Sequence, residues 1–215
     1  MKVSDFLAKK IKNLKINNIP VFQGGAIMHL IDSIGELKGL NYYVPYHEQS
    51  MAMSVDGYSR IKGMGVGCVT SGPGGTNLIT GVCCSYYDSI PCLFFTGQVG
   101  QFHIKKSKEM RQRGFQETDM VSLFASITKF AYQIKDPNEV GYIFDKAVYL
   151  AKNGRPGPVV IDLPYNIQIA DIDLKKIKKF IPPKEKEKNL KLQTQIEKII
   201  KLFNKKNKVV FVAGG

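Results

Sequence analysis

The chain has 215 residues, of which 44% are hydrophobic and 23% charged, and its formal net charge is +13 at pH 7. That length can bury one core of ordinary domain size plus an appendage, and no apolar stretch approaches the roughly 20 residues of a membrane helix. The start Met1-Lys2-Val3-Ser4-Asp5 lacks a signal-peptide hydrophobic region, and much of the lysine excess lies between Lys175 and Lys208 without interleaved aromatics, so no membrane and no nucleic-acid partner is expected. Cytoplasm is the expected location. The four cysteines, Cys68, Cys83, Cys84 and Cys92, sit in apolar segments without metal-ligand spacing and read as reduced, packed thiols, with Cys83-Cys84 in the core.

In chain order, residues 4–17 read as an amphipathic helix through Phe6, Leu7, Ile11, Leu14 and Ile16, and Val21-Phe22 as a short buried strand. Gly24-Gly25 break that strand, and residues 26–37 resume a helical pattern. A strand over 42–46, a helix over 48–62, a strand over 65–70, a helix over 75–86 and a strand over 91–95 follow. Residues 98–118 carry no apolar periodicity and read as a long active-site loop, since loops of that length are usually functional. A helix-strand-helix pattern then covers 119–152, and Pro158–Pro164 is a buried final strand. Such alternation predicts an α/β doubly wound domain with a mainly parallel six-stranded sheet and helices on both faces.

The expected organisation is a domain over 1–175, a lysine-rich linker and helix over 176–206, and the first strand of a further domain over 207–215. Val209-Val210-Phe211-Val212 without a partner sheet would be an exposed edge, so the coded protein is expected to continue or the chain to be a fragment.

Two features point to chemistry. Glu48, in Tyr46-His47-Glu48-Gln49, is an acid set among Val44, Met51, Ala52 and Met53. Burial disfavours its charged form unless a donor meets it, and such an acid can share a proton with a ring nitrogen. The second feature is Thr70-Ser71-Gly72-Pro73-Gly74-Gly75-Thr76-Asn77, which lacks the Gly-Lys-Ser/Thr ending of a P-loop and the spacing of a dinucleotide fingerprint. Its glycines instead let backbone approach a flat ligand. Both features follow predicted strands, and ligands in such sheets sit beyond the carboxyl ends of strands.

With their surroundings, these residues resemble the N-terminal, pyrimidine-binding domain of thiamine diphosphate enzymes in the acetolactate synthase branch. The resemblance runs over about residues 1–175, through Gly24-Gly25-Ala26-Ile27-Met28, His47-Glu48-Gln49, Thr70 to Gly74, Thr76 to Gly81, Asp88-Ser89-Ile90-Pro91, Thr96-Gly97-Gln98-Val99, Phe115-Gln116-Glu117 and Gly154 to Pro158. It implies that Glu48 hydrogen-bonds the cofactor's aminopyrimidine ring nitrogen, that Pro73 and Asn77 lie against the ring, and that Gly24-Gly25 shape the turn beside it. Phe115 and Gln116 match a pair that reaches across a dimer interface toward the reacting centre. Arg155 matches an arginine that contacts FAD, which leaves FAD open as a second cofactor.

The implied activity is decarboxylation of a 2-oxo acid followed by carboligation, by a homodimer or tetramer. The cofactor's diphosphate and Mg²⁺ need a Gly-Asp-Gly and Asn motif that is not in the chain, so a missing diphosphate-binding domain or subunit is implied and the chain alone should be inactive. A split enzyme and a non-catalytic protein that kept the fold remain alternatives. The chain also departs from the branch: Phe22-Gln23 replaces Gly-Tyr-Pro before Gly24, and Tyr165 stands where acetolactate synthases place a lysine. The lost cation changes how an anionic substrate would be held. Arg111 to Glu117 and Met28-His29-Leu30 look more like acetolactate-synthase-like proteins of surface-sugar biosynthesis. His29 and His103 read as surface groups, and His47 as a residue that orients the Glu48 loop.

Overall fold

The computed structural model describes residues 1–107, 109–183, 190–205, 208–210 and 212. Apolar spacing sets the first helix, α1 (Val3–Asn13), which buries Val3, Leu7, Ala8 and Ile11 on one face. It ends earlier than the predicted residue 17, because Lys15 takes a left-handed φ of 61° and turns the chain, leaving Ile16 to pack from the connector. There follow β1 (Asn18–Phe22), α2 (Met28–Glu36), β2 (Asn41–Tyr43), α3 (Glu48–Lys62), β3 (Gly65–Val69), α4 (Pro73–Thr76), α5 (Ile79–Tyr87), β4 (Cys92–Gln98), α6 (Met120–Phe124), β5 (Phe130–Gln133), α7 (Val140–Lys152), β6 (Val159–Pro164), α8 (Tyr165–Ile169) and α9 (Leu190–Phe203).

The six strands form one all-parallel sheet in the order β2-β1-β3-β4-β6-β5. Crossover helices cover both faces, as parallel strands require. On one face Ile19, Val21, Cys68, Phe95 and Ile161 pack against α1, α2, α7 and α8, and Phe95 stacks on Phe144 at 6.5 Å. On the other, Val69, Phe94 and Val160 meet Met51 and Val55 of α3, Val82 of α5, and Met120 and Phe124 of α6. Each such fully buried side chain contributes about 1.5–3 kcal/mol of transfer free energy. At Gly67 an added Cβ would stand 2.9 Å from both Met51 Cε and Val55 Cγ2, so the glycine is what lets α3 lie so close to β3.

Several expectations are corrected. β2 is three exposed residues at the sheet edge, where the sequence suggested a longer strand over 42–46, and its tyrosines are only about half covered. The single helix expected over 75–86 is two, α4 and α5, with Asn77 and Leu78 between them. The final strand is followed by the unpredicted α8. Cys68 and Cys92 are buried, whereas Cys84 is exposed and Cys83 half-buried, since α5 turns Gly81, Val82 and Ser85 inward instead. All four cysteines are free.

The chain divides into two compact units, Met1–Phe180 and Ile181–Gly215. The first holds the whole sheet. In the second, α9 exposes Leu192, Ile196, Ile199 and Ile200, and Val209, Val210 and Val212 are exposed and outside any strand. The expected strand over 209–212 is thus not formed by its described residues, and residues 184–189 of the expected linker and 213–215 lie outside the described residues. No described helix is long and apolar enough to cross a membrane.

Candidate active site

The carboxyl ends of β1, β3, β4 and β6 share one rim, because Phe22 pairs with Val69, Val69 with Thr96 and Gln98 with Pro164. The order reverses at β1 and β3, the switch point at which such sheets open a crevice. Glu48 is the first residue of α3, and His47 caps that helix, its Nδ1 accepting the Gln49 N–H at 3.1 Å. Gly63, left-handed at φ 79°, ends the helix. Glu48 is only 7% exposed and takes part in no ion pair among the described residues. Asn77 Nδ2 donates to its Oε2 at 2.9 Å, the one hydrogen bond to the carboxylate among those residues. Met51 and Ala52 are buried beside it as expected, but Val44 and Met53 are 46% and 43% exposed and do not wall it in.

The segment 70–77 links that acid to a cleft. Pro73 opens α4 at the position where a missing N–H costs nothing. Gly24 packs on Thr70, whose side chain a Cβ there would strike, while a Cβ on Gly25 would meet nothing within 4 Å. Beyond them lies a cleft of about 480 Å³ lined by Gly25, Ala26, Met28, Thr70, Ser71, Val99, His103, Phe115, Gln116 and Tyr165. A larger open groove, about 590 Å³, runs beside α2 and is lined by none of the sequence-predicted site residues.

Phe115 and Gln116 occupy the centre of a turn in which Glu117 N–H donates to Gly114 C=O at 3.1 Å. Gln116 has a φ of 58°, as a type II turn demands at that position. The left-handed conformation costs a non-glycine residue about 1–2 kcal/mol. Against that strain stands the buried Glu117 carboxylate, which accepts the N–H of Arg113 at 2.7 Å, of Lys105 at 2.9 Å and, more weakly, of Gly114 at 3.4 Å. Hydrogen bonds to a charged group are worth about 1.5–3 kcal/mol each, so the turn is held. Burial pushes the Glu117 pKa up, but those three backbone donors and the Lys105 charge outweigh it and leave it below the ordinary value. Gly72, at φ 58°, receives the turn: a Cβ there would lie 2.8 Å from Gln116 Cβ.

Below the loop, Asp162 is fully buried and accepts from Thr96 Oγ1 at 2.7 Å, Gln133 Nε2 at 2.7 Å and Gln98 Nε2 at 3.1 Å. Burial raises its pKa to about 6, which those donors only partly counter.

Arg155 is not brought to this rim. It precedes β6, donates from Nε to Ser89 Oγ at 2.7 Å, and lines a separate cleft of about 310 Å³ with Tyr86, Tyr87, Lys129 and Pro156, at the amino edge of the sheet. Among the described residues no group of three or more His, Cys, Asp or Glu could hold a metal ion.

Residues 1–123 match the family model "Thiamine pyrophosphate enzyme, N-terminal TPP binding domain". The chain belongs to the thiamine pyrophosphate enzyme family. It is similar to the acetolactate synthase large subunit of Lactococcus lactis subsp. lactis, 36% identical over 213 residues that cover 99% of this chain and 36% of that protein. The probable acetolactate synthase large subunit of Methanocaldococcus jannaschii is 37% identical over 219 residues, 100% of this chain and 36% of that protein. The acetolactate synthase isozyme 3 large subunit of Escherichia coli is 34% identical over 165 residues, 76% and 28% respectively. The chain thus spans about a third of the length of the curated relatives it matches. In this thiamine pyrophosphate enzyme domain, sequence reasoning had already singled out Glu48, Pro73, Asn77, Gly24, Gly25, Phe115 and Gln116. Thr70 and Ser71 lie in the segment it placed beyond a strand end, but it gave Val99 and His103 no part in the cleft and placed no role on Glu117. The acid three residues after Gly114 in an aperiodic loop was the available signal.

Proposed function

We propose that this chain is the cofactor-activating, pyrimidine-holding part of a thiamine diphosphate-dependent enzyme that decarboxylates a 2-oxo acid and passes the acyl unit to an acceptor, as in acetolactate synthases. The observation that carries this reading is the Glu48–Asn77 pair: a carboxylate 7% exposed, at the rim of the sheet, with a single donor on one oxygen among the described residues. That arrangement fits the aminopyrimidine of thiamine diphosphate, because the second oxygen is left to share a proton with a ring nitrogen. When bound, the cofactor supplies the carbon nucleophile and electron sink that decarboxylation requires. Glu48 holds a proton at the ring nitrogen, and Asn77 fixes the carboxylate's orientation. Pro73 and Gly24-Gly25 offer the ring backbone and an apolar edge, and the Gly25 face of the cleft leaves room for it. Phe115, Gln116, Met28, Val99 and Tyr165 form the wall that a substrate would meet. With Tyr165 in place of a lysine, the described residues of that wall include no lysine or arginine.

The diphosphate and Mg²⁺ would be held by a diphosphate-binding domain outside this chain, in the same polypeptide or a separate subunit. A homodimer or tetramer would bring that domain against Phe115, which is 82% exposed. FAD would be met by Arg155 at the amino edge of the sheet, away from Glu48, so the reading does not require it. Four free cysteines suit a reducing compartment and support a cytoplasmic location.

The test is Glu48→Gln in the protein complete with its diphosphate-binding domain, assayed for CO₂ release from pyruvate and other 2-oxo acids. Loss of a positioned acid or base typically lowers turnover by about 10²–10⁴-fold, and the melting temperature should move little. Near-normal turnover in the variant would sink the assignment.

A further inference from the structure

The loop from Val99 to Thr118 spans twenty residues, and its described residues form only a short turn of helix at Gln101–His103. A loop of that length must be tied if it is to present side chains in one place, because each untethered residue keeps its conformational freedom. Gln98 ties the two ends: its Oε1 accepts the Val99 N–H at 3.0 Å, and its Nε2 donates to Thr118 C=O at 2.7 Å. Inside the loop, one carboxylate gathers two distant points of the backbone. Glu117 Oε1 takes the N–H of Lys105, and Oε2 takes that of Arg113. The loop is therefore tied at Lys105 and at Arg113 to one side chain, and the turn bearing Phe115 and Gln116 begins directly after the second tie. Its far side rests on Gly72, so the turn is fixed from two directions.

We infer that Glu117 is the positioning residue of this site: through the amides of Lys105 and Arg113 it holds the strained turn that presents Phe115 and Gln116 to the cleft. Glu117 touches neither the cleft nor Glu48, and its effect passes through the turn. The inference rests on the functional reading only in taking Phe115 and Gln116 to face the reacting centre.

Glu117→Gln keeps the size of the side chain but removes the charge and replaces one acceptor oxygen with a donor. Amide hydrogen exchange on the variant chain should be at least roughly tenfold faster at Lys105 and at residues 113–116, with the amides of β4 unchanged. Unchanged exchange at Lys105 and Arg113 overturns the inference. If protection is lost throughout and the Gln variant is unfolded, Glu117→Asp, which draws the charge back by one methylene, is read by the same criterion. In the complete enzyme, Glu117→Gln should lower kcat/KM by about tenfold or more with cofactor affinity unchanged, and should add less than about threefold to a Gln116→Ala variant. Full additivity of the two changes overturns the positioning role. A wild-type enzyme without activity on 2-oxo acids overturns the functional reading instead, and the exchange result then decides the anchoring by itself.

Discussion

Glu48 and Asn77 are 29 residues apart in the chain and share the one hydrogen bond that the acid receives among the described residues. The acid was legible in the sequence because a carboxylate among apolar residues at a strand-to-helix junction is unusual and its neighbours matched an ordered set of motifs. Its donor was legible only as a family position, because which side chain meets a buried oxygen depends on how α3 and the 70–77 turn are packed. Asn77→Ala leaves a buried carboxylate without a protein donor and should lower stability by about 1–3 kcal/mol, measured by chemical denaturation. Asn77→Asp should be worse at pH 8 than at pH 5, since two adjacent carboxylates repel when both are ionised. An equal loss at the two pH values would argue against close contact of the two side chains.

Among the elements, α3 was predicted with its observed bounds because a capping residue, a helical run and Gly63 all agree on them. The helix expected over 75–86 was not, because Asn77 and Leu78 interrupt it for a tertiary reason, the turn of Asn77 toward Glu48. β4, β5 and β6 are joined by a side-chain network that no local pattern announces: Thr96, Gln98 and Gln133 converge on Asp162. Its raised pKa makes a definite prediction. Below the unfolded value of about 3.8 the acid is neutral in both states and costs nothing, and the penalty grows with pH until it is complete above about 6. The two-unit difference amounts to about 3 kcal/mol at neutral pH. The contribution of Asp162 to stability should therefore increase as pH falls from 7 to 5. Denaturation of wild type and Asp162→Asn across that range should show the rise in the wild type and a flatter profile in the variant. Glu117 works in the opposite sense: its lowered pKa adds stability above the ordinary carboxylate range that is lost only at more acidic pH.

At the scale of the molecule, the proposal makes the site one half of a larger one. Glu48 and the cleft lie on one rim of a single sheet, and among the described residues no group of three or more His, Cys, Asp or Glu could hold a metal ion. The chain supplied with thiamine diphosphate and Mg²⁺ should thus release no CO₂ from pyruvate, whereas the protein carrying a diphosphate-binding domain, or a mixture with a chain that carries it, should. Turnover by the 215-residue chain alone would contradict the division of labour proposed here. The net charge of +13 comes largely from the lysines after Lys175.

By itself the sequence determined the alternation of strands and helices and the parallel class of the sheet, and it singled out Glu48 as a buried acid, because periodicity, glycine breaks and motif order are local properties. Tertiary structure alone decided that β2 is an exposed edge, that Asn77 meets Glu48, that Arg155 falls at the opposite end of the sheet, and that Glu117 gathers the amides of its own loop. The edge position of β2 and the place of Arg155 are settled by the order of strands in the sheet, and the partners of Glu48 and Glu117 by which groups the packed chain brings within reach of a buried carboxylate.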